Sequence, residues 1–243
     1  MRNFLLSFLS LSIFLSELQS KAVSTEEVIS LARATLGEEA ALDGLVTLKF
    51  IGRLEPADPK VPAAELKILA RKPNSKRLEL TMDDMIETTI FNGRRATIIR
   101  SYIDADTSQM RDLSKPEQDR VLYSTRQFFS FYYPDIGNGE EVSYEGTRKH
   151  RGKSSHVLKY KYPSGLETTR FFSVKDHTLV SEISENGVES VSHGSQIVKG
   201  IKFPKRIEYY EGEHKLHTIV LSEVGVNEPL PGGIFKIPKP KKK

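Results

Sequence analysis

The sequence predicts a mainly β, α+β fold, a long antiparallel meander that curls around a cavity. Three observations carry this. Through the last two-thirds of the 243 residues, short runs of alternating apolar and polar side chains follow one another. Each run closes on a Gly, Pro or Asn turn. Almost no run is separated from the next by a long helix, and short connections of that kind join antiparallel neighbours.

The elements follow in order. Ser24-Thr25-Glu26-Glu27 is a capping box. Val28, Ile29, Ala32 and Leu36 then repeat at helical spacing, and Gly37 suits the end of a first helix. Glu38 to Asp43 reads as a turn. From Gly44, the set Val46, Leu48, Phe50, Gly52 and Leu54 alternates with Thr47, Lys49, Ile51 and Arg53. Three prolines make 55–62 a loop. Ala64, Leu66, Ile68 and Ala70 form the next apolar face, and Leu78, Leu80 and Met82 continue it after the Pro73-Asn74-Ser75 turn. Asn92-Gly93 is the strongest hairpin signal, between strands at 87–91 and 95–102.

Ser114-Lys115-Pro116-Glu117 is a second capping box with an early proline, opening a helix to about Phe129. It ends among Phe128, Phe129, Phe131, Tyr132 and Tyr133, before Pro134 and Gly137. Strands are then expected at 142–149, 156–162, 167–174, 179–184, 189–193, 205–210 and 215–224.

The ends have their own chemistry. Arg2, the apolar stretch Phe4 to Leu15, and Ser20 and Ala22 have the order of an export signal, too short to span a bilayer. Residues 1–22 are therefore expected to be a cleaved signal peptide, 23–238 one domain, and 239–243 a disordered basic tail. The absence of cysteine excludes disulfides, thiol catalysis, Cys-bound zinc and a lipid anchor at the cleavage site. A soluble periplasmic protein without a transmembrane span is the expectation. The net charge of +4 owes much to the tail, and the nearly balanced body argues against a nucleic-acid groove.

Motifs for chemistry fail on spacing. Gly152-Lys153-Ser154 ends like a phosphate loop, but Gly146 is one residue too far and strand residues follow. The calcium-like Asp104-Ala105-Asp106 run has Gln109 where Gly is required and Lys115 where Glu is required. His214 and His217 lie three apart on a strand and so face opposite sides. Ser195 has no evident base, and Asp83-Asp84 diverge. No cofactor, metal or catalytic group is expected. A carboxylate pair assembled from distant strands, as in a secreted hydrolase, is the one enzymatic alternative.

Two apolar sets remain. Phe50, Leu66, Ile68, Leu78, Leu80 and Met82 either pack on the helices or line a lipid-sized space. Phe128, Phe129 and Phe131 either pack the helix on the sheet or form a lid or rim over that space.

Three stretches carry a family resemblance: 32–42 continuing into Leu48-Lys49-Phe50-Ile51-Gly52, then Gly200 to Ile207, then Val226 to Pro231 closing on Phe235-Lys236-Ile237-Pro238. Together they resemble the outer-membrane lipoprotein-sorting and carrier proteins, the LolA/LolB-like family. The resemblance covers nearly the whole chain after the signal. It implies an unclosed antiparallel half-barrel of about eleven strands with helices covering its concave face. It also implies a monomeric, non-enzymatic carrier that shields acyl chains of lipoproteins or lipids, between an inner-membrane donor and an outer-membrane acceptor. In the family's carriers an inner-strand arginine helps hold the lid, and Arg53 and Arg71 are possible counterparts. The alternative on the same fold is an envelope sensing or protein-interaction module.

Overall fold

The structure, a computed structural model, describes residues 23–104 and 107–239. The expected signal peptide and residues 240–243 of the tail lie outside the described residues.

The first half begins with α1 (Thr25–Ala34), capped as expected: Ser24 Oγ accepts from the Glu27 N–H at 3.1 Å. Residues 39–43, expected as part of a turn, form the short helix α2 (Glu39–Asp43). Six strands follow: β1 (Thr47–Pro56), β2 (Ala64–Arg71), β3 (Ser75–Thr81), β4 (Met85–Asn92), β5 (Ala96–Tyr102) and β6 (Thr107–Asp112). Helix α3 (Lys115–Ser130) has its capping box, with the Ser114 N–H donating to Glu117 Oε2 at 2.7 Å.

The second half holds β7 (Glu141–His150), β8 (Lys153–Lys161), β9 (Glu167–Ser173), β10 (Leu179–Ser184), β11 (Val188–His193), β14 (Arg206–Glu211) and β15 (His214–Val226). A small separate hairpin, β12 (Gln196–Val198) with β13 (Ile201–Phe203), interrupts it.

Thirteen strands form one antiparallel sheet in the order β6-β5-β4-β3-β2-β1-β15-β14-β11-β10-β9-β8-β7. Its two ends, β6 and β7, do not pair, so the sheet is unclosed. The thirteen exceed the about eleven that the resemblance implies, and β6 is one strand with no counterpart in the sequence reading. Its Thr-Ser-Gln-Met-Arg-Asp sequence is exposed almost throughout and lacks an apolar face, as an edge strand can. Because α3 leaves β6 at one edge and delivers the chain to β7 at the other, it must cross a face of the sheet. That face is the inner one.

Both halves meet at the β1–β15 pair, whose register shifts between Ile51 and Gly52. A Cβ on Gly52 would lie 2.2 Å from Val220 O and 3.1 Å from Leu221 Cα. Backbone cannot retreat from such a contact without breaking the pair. Gly52→Ala is therefore expected to destabilise by about 1–3 kcal/mol, read as a lower denaturation midpoint with an unchanged slope.

The core is divided. One cluster joins Leu42, Leu45, Leu48, Phe50 and Leu66 to Phe129, Phe131 and Phe203. A second joins Val28, Ile29 and Ala32 of α1 to Tyr123 of α3 and to Leu158, Tyr160 and Phe172 of the sheet. Helices thus cover the inner face along both halves.

Candidate functional site

The expected wall residues come from three adjacent strands in register. Phe50 faces Ile68, which faces Leu78; Gly52 faces Leu66, which faces Leu80. These five apolar side chains belong to one cluster with Phe128, Phe129 and Phe131. Met82 lies beyond β3 in its connection to β4, half-buried and outside that cluster. The Phe128 ring sits 5.5 Å from that of Phe50, and Phe203 of β13 approaches Phe50 from another side at 5.8 Å. Wall and lid therefore touch ring to ring.

Polar contacts at the margin hold the helices down. The principal one is Arg33, on α1 and only 1 % exposed. Its guanidinium donates to Glu39 Oε1 at 2.9 Å, Asp43 Oδ1 at 3.0 Å, Ser130 O at 2.7 Å and Phe131 O at 3.2 Å, and it lies 4.1 Å from the Tyr133 ring centroid. One side chain thus joins α1, α2 and the end of α3. A cation there also suits the negative end of the α3 dipole. Burial alone would lower its pKa, but the hydrogen bond it donates to Glu39 and the charges of Glu39 and Asp43 raise it.

The segment it grips is bent. Phe131 and Tyr132 have φ of 43° and 79°, a left-handed pair without glycine. Tyr160 Oη secures the second by donating to Tyr132 O at 2.8 Å. The two arginines suggested by resemblance lie elsewhere. Arg53 is exposed and makes no ion pair among the described residues, and exposed Arg71 lies over Phe235 at 5.1 Å. Sequence reasoning passed over Arg33 because its grip is on a segment 97 residues away.

Lys76 of β3 is a weaker tie. Its Nζ donates to Ser124 Oγ of α3 at 3.0 Å and lies 5.3 Å from the Phe128 ring centroid. Burial pushes its pKa down to about 8. The folded value lies below the unfolded one, so the unfolded chain binds more protons between about pH 8 and 10.5. Stability from this group therefore rises across that window and is lowest below it. Lys76→Met is expected to be about 1–2 kcal/mol more stable at pH 7. The stability difference between variant and wild type should shrink as pH rises to 10, as followed by denaturant titration.

Open space lies beside the closed wall. A cavity of about 590 Å³ is bounded by Leu36 after α1, Tyr132, Leu179 of β10, Val191 of β11 and Phe203 of β13. A smaller cleft of about 300 Å³ runs between α3 and β8–β11, where Tyr123 and Gln127 face Tyr162 and Glu182. At the smaller cleft lies a buried ion pair. Arg170 Nε donates to Glu182 Oε2 at 2.6 Å, and its guanidinium stacks 4.2 Å from the Tyr160 ring centroid. Burial raises the Tyr160 phenol, which stays protonated at neutral pH.

One constellation has the composition of a hydrolase site. His150 Nε2 lies 2.8 Å from Ser181 Oγ and 2.7 Å from Glu189 Oε1. A relay needs the acid on one ring nitrogen and the nucleophile on the other. Here both address Nε2, and Ser181 is 1 % exposed. Glu189 is instead the bidentate partner of Arg151, at 2.8 Å through each oxygen. Burial works against its charge, but the bonds from Arg151, Ser181 and His150 prevail and hold its pKa at about 2. The cluster staples three strands. His217 stacks on Tyr209 at 4.4 Å, and no group of three or more potential metal ligands occurs among the described residues. No helix among them is long and apolar enough to cross a membrane.

The sequence matches no family model and no curated protein. Solved structures do resemble the fold. A DUF1329 family protein from Desulfovibrio piger superposes with a TM-score of 0.59 at 8 % identity, over 87 % of this chain and 96 % of that one. A putative outer membrane lipoprotein-sorting protein domain from Vibrio parahaemolyticus gives 0.57 at 8 %, over 88 % and 97 %. A LolA superfamily protein from Nitrosomonas europaea gives 0.57 at 12 %, over 89 % and 99 %. The chain thus has a LolA-like fold, and at such identities the likeness is one of fold alone.

Proposed function

We propose that this protein is an exported, non-enzymatic carrier that shields acyl chains of lipids or lipoproteins between the inner face of its half-barrel and the covering helices. One observation carries the reading. The apolar wall of β1–β3 meets an apolar lid on α3, and the polar contacts of Arg33 and Lys76 tie that lid to α1, α2 and β3. Each methylene withdrawn from water is worth about 0.8 kcal/mol. An acyl chain can therefore replace ring–ring contacts at little net change, so closed and loaded states can interconvert. Phe50, Leu66, Ile68, Leu78 and Leu80 would line the loaded pocket, with Met82 at its far end and Phe128, Phe129 and Phe131 displaced as the lid. Exchange would run from an inner-membrane donor to an outer-membrane acceptor, with the carrier a monomer.

Uptake of a fluorescent fatty acid tests this. Wild type should bind it, and Leu80→Asp, checked for folding by circular dichroism, should not. A folded variant with wild-type affinity contradicts the pocket. The ring contact of wall and lid also favours a second reading, an envelope sensing or interaction module. Its mark is no uptake together with a stable protein partner.

A further inference from the structure

We propose that the 590 Å³ cavity binds the oxyanion headgroup of the carried amphiphile, so that ligands are selected by charge as well as by chain. This rests on the carrier reading and adds its ligand class.

The cavity abuts the closed wall. Leu36 and Phe203 line it and also pack in the wall–lid cluster, Phe203 directly against Phe50. A chain entering between wall and lid would leave its polar end here.

The charge of the lining is one-sided. Arg151, Lys153 and Lys202 contribute to it, and no Asp or Glu does. Arg151 is oriented by its bidentate bond to Glu189. Lys153 and Lys202 have no carboxylate within 4.0 Å among the described residues. Asp176 is the acid that acts on Lys153 from outside the lining, and one of its oxygens is taken by Thr178 through Oγ1 at 2.6 Å and N–H at 3.1 Å. The carbonyl of Leu36, past the end of α1, accepts from the Lys202 N–H at 2.7 Å. It therefore does not present a bare negative dipole to the space. Two lysines without an ion-pair partner, lining a space whose other walls are largely apolar, give it a positive potential. The smaller cleft differs: there Glu182 and Glu185 are each paired with an arginine.

A carboxylate or phosphate on an acyl chain satisfies both parts of this cavity. A neutral headgroup of equal chain length leaves the lysines unpaired.

The test compares palmitate, hexadecanol and lysophosphatidate as displacers of a bound fluorescent acyl probe. It uses the wild-type protein and the double variant Lys153→Gln, Lys202→Gln. Palmitate or lysophosphatidate should bind about tenfold more tightly than hexadecanol. The preference should fall to about twofold in the double variant and weaken with salt, with hexadecanol affinity unchanged. The tighter of the two anions identifies the source of the oxyanion as a free carboxylate or a lipid phosphate. Affinity for hexadecanol equal to that for both palmitate and lysophosphatidate in wild type overturns the headgroup site and leaves the carrier standing. Binding of none of the three overturns both. Should the double variant fail to fold, the salt dependence in wild type decides alone, and a preference unmoved by salt overturns the site.

Discussion

Arg33→Ala is expected to lower stability by about 2–4 kcal/mol. The side chain is almost wholly buried, and its removal strands the Ser130 and Phe131 carbonyls at a bend already held in left-handed backbone. Glu39 and Asp43 are largely exposed and can rehydrate, so the loss should come mainly from the unpaired carbonyls and the freed helices. Hydrogen exchange should then quicken first in α1, α2 and the last turn of α3, ahead of the central strands. Arg33→Lys should recover only part of the stability, because one ammonium cannot address four acceptors in the planar fork that guanidinium offers. A loss below about 1 kcal/mol, with uniform exchange, would mean that the helices are held by packing alone.

Phe50→Ala carries the second large effect. Phe50 is 7 % exposed and sits between the Phe128 ring of the lid and the Phe203 ring beside the cavity. Truncation removes both ring pairs and leaves a void next to existing open space. The expected loss is about 3–5 kcal/mol, measured by chemical denaturation. A long-chain ligand can fill that void, so added fatty acid should restore more stability to Phe50→Ala than to wild type at equal concentration. Stabilisation of the two proteins by the same amount would separate Phe50 from the ligand path.

The two predictions differ in how far they could be read from sequence. Phe50 was legible. It shares a face with Leu48 and Gly52, alternating with Lys49 and Ile51, and this period survives because β1 keeps one face toward the helices. The N-cap at Ser24 and the capping box at Ser114 were legible because their contacts span three residues. Arg33 was not, since an arginine in the last turn of a helix looks solvated until a segment 97 residues away is brought to it. Helix α2 has five residues and no side-chain cap, and β12 and β13 have three residues each, too short for any period to show. β6 lacks an apolar face altogether.

The candidate site divides in the same way. The wall follows from alternation, and the aromatic cluster follows from composition. Their contact depends on where α3 crosses the sheet, which follows from the unpaired β6 and β7 edges. The basic cavity combines Lys153 from the β7–β8 hairpin with Lys202 from a hairpin outside the main sheet. Nothing in the local pattern of either lysine announces the other.

Occupancy of this half-barrel by acyl chains is the proposal on which the others rest. It is tested most directly by native mass spectrometry of the protein purified from its own envelope, paired with lipid extraction. A carrier should yield an acylated species, lipid or peptide, at near-stoichiometric level. A ligand-free mass, from a protein that also takes up no fatty acid, would contradict it.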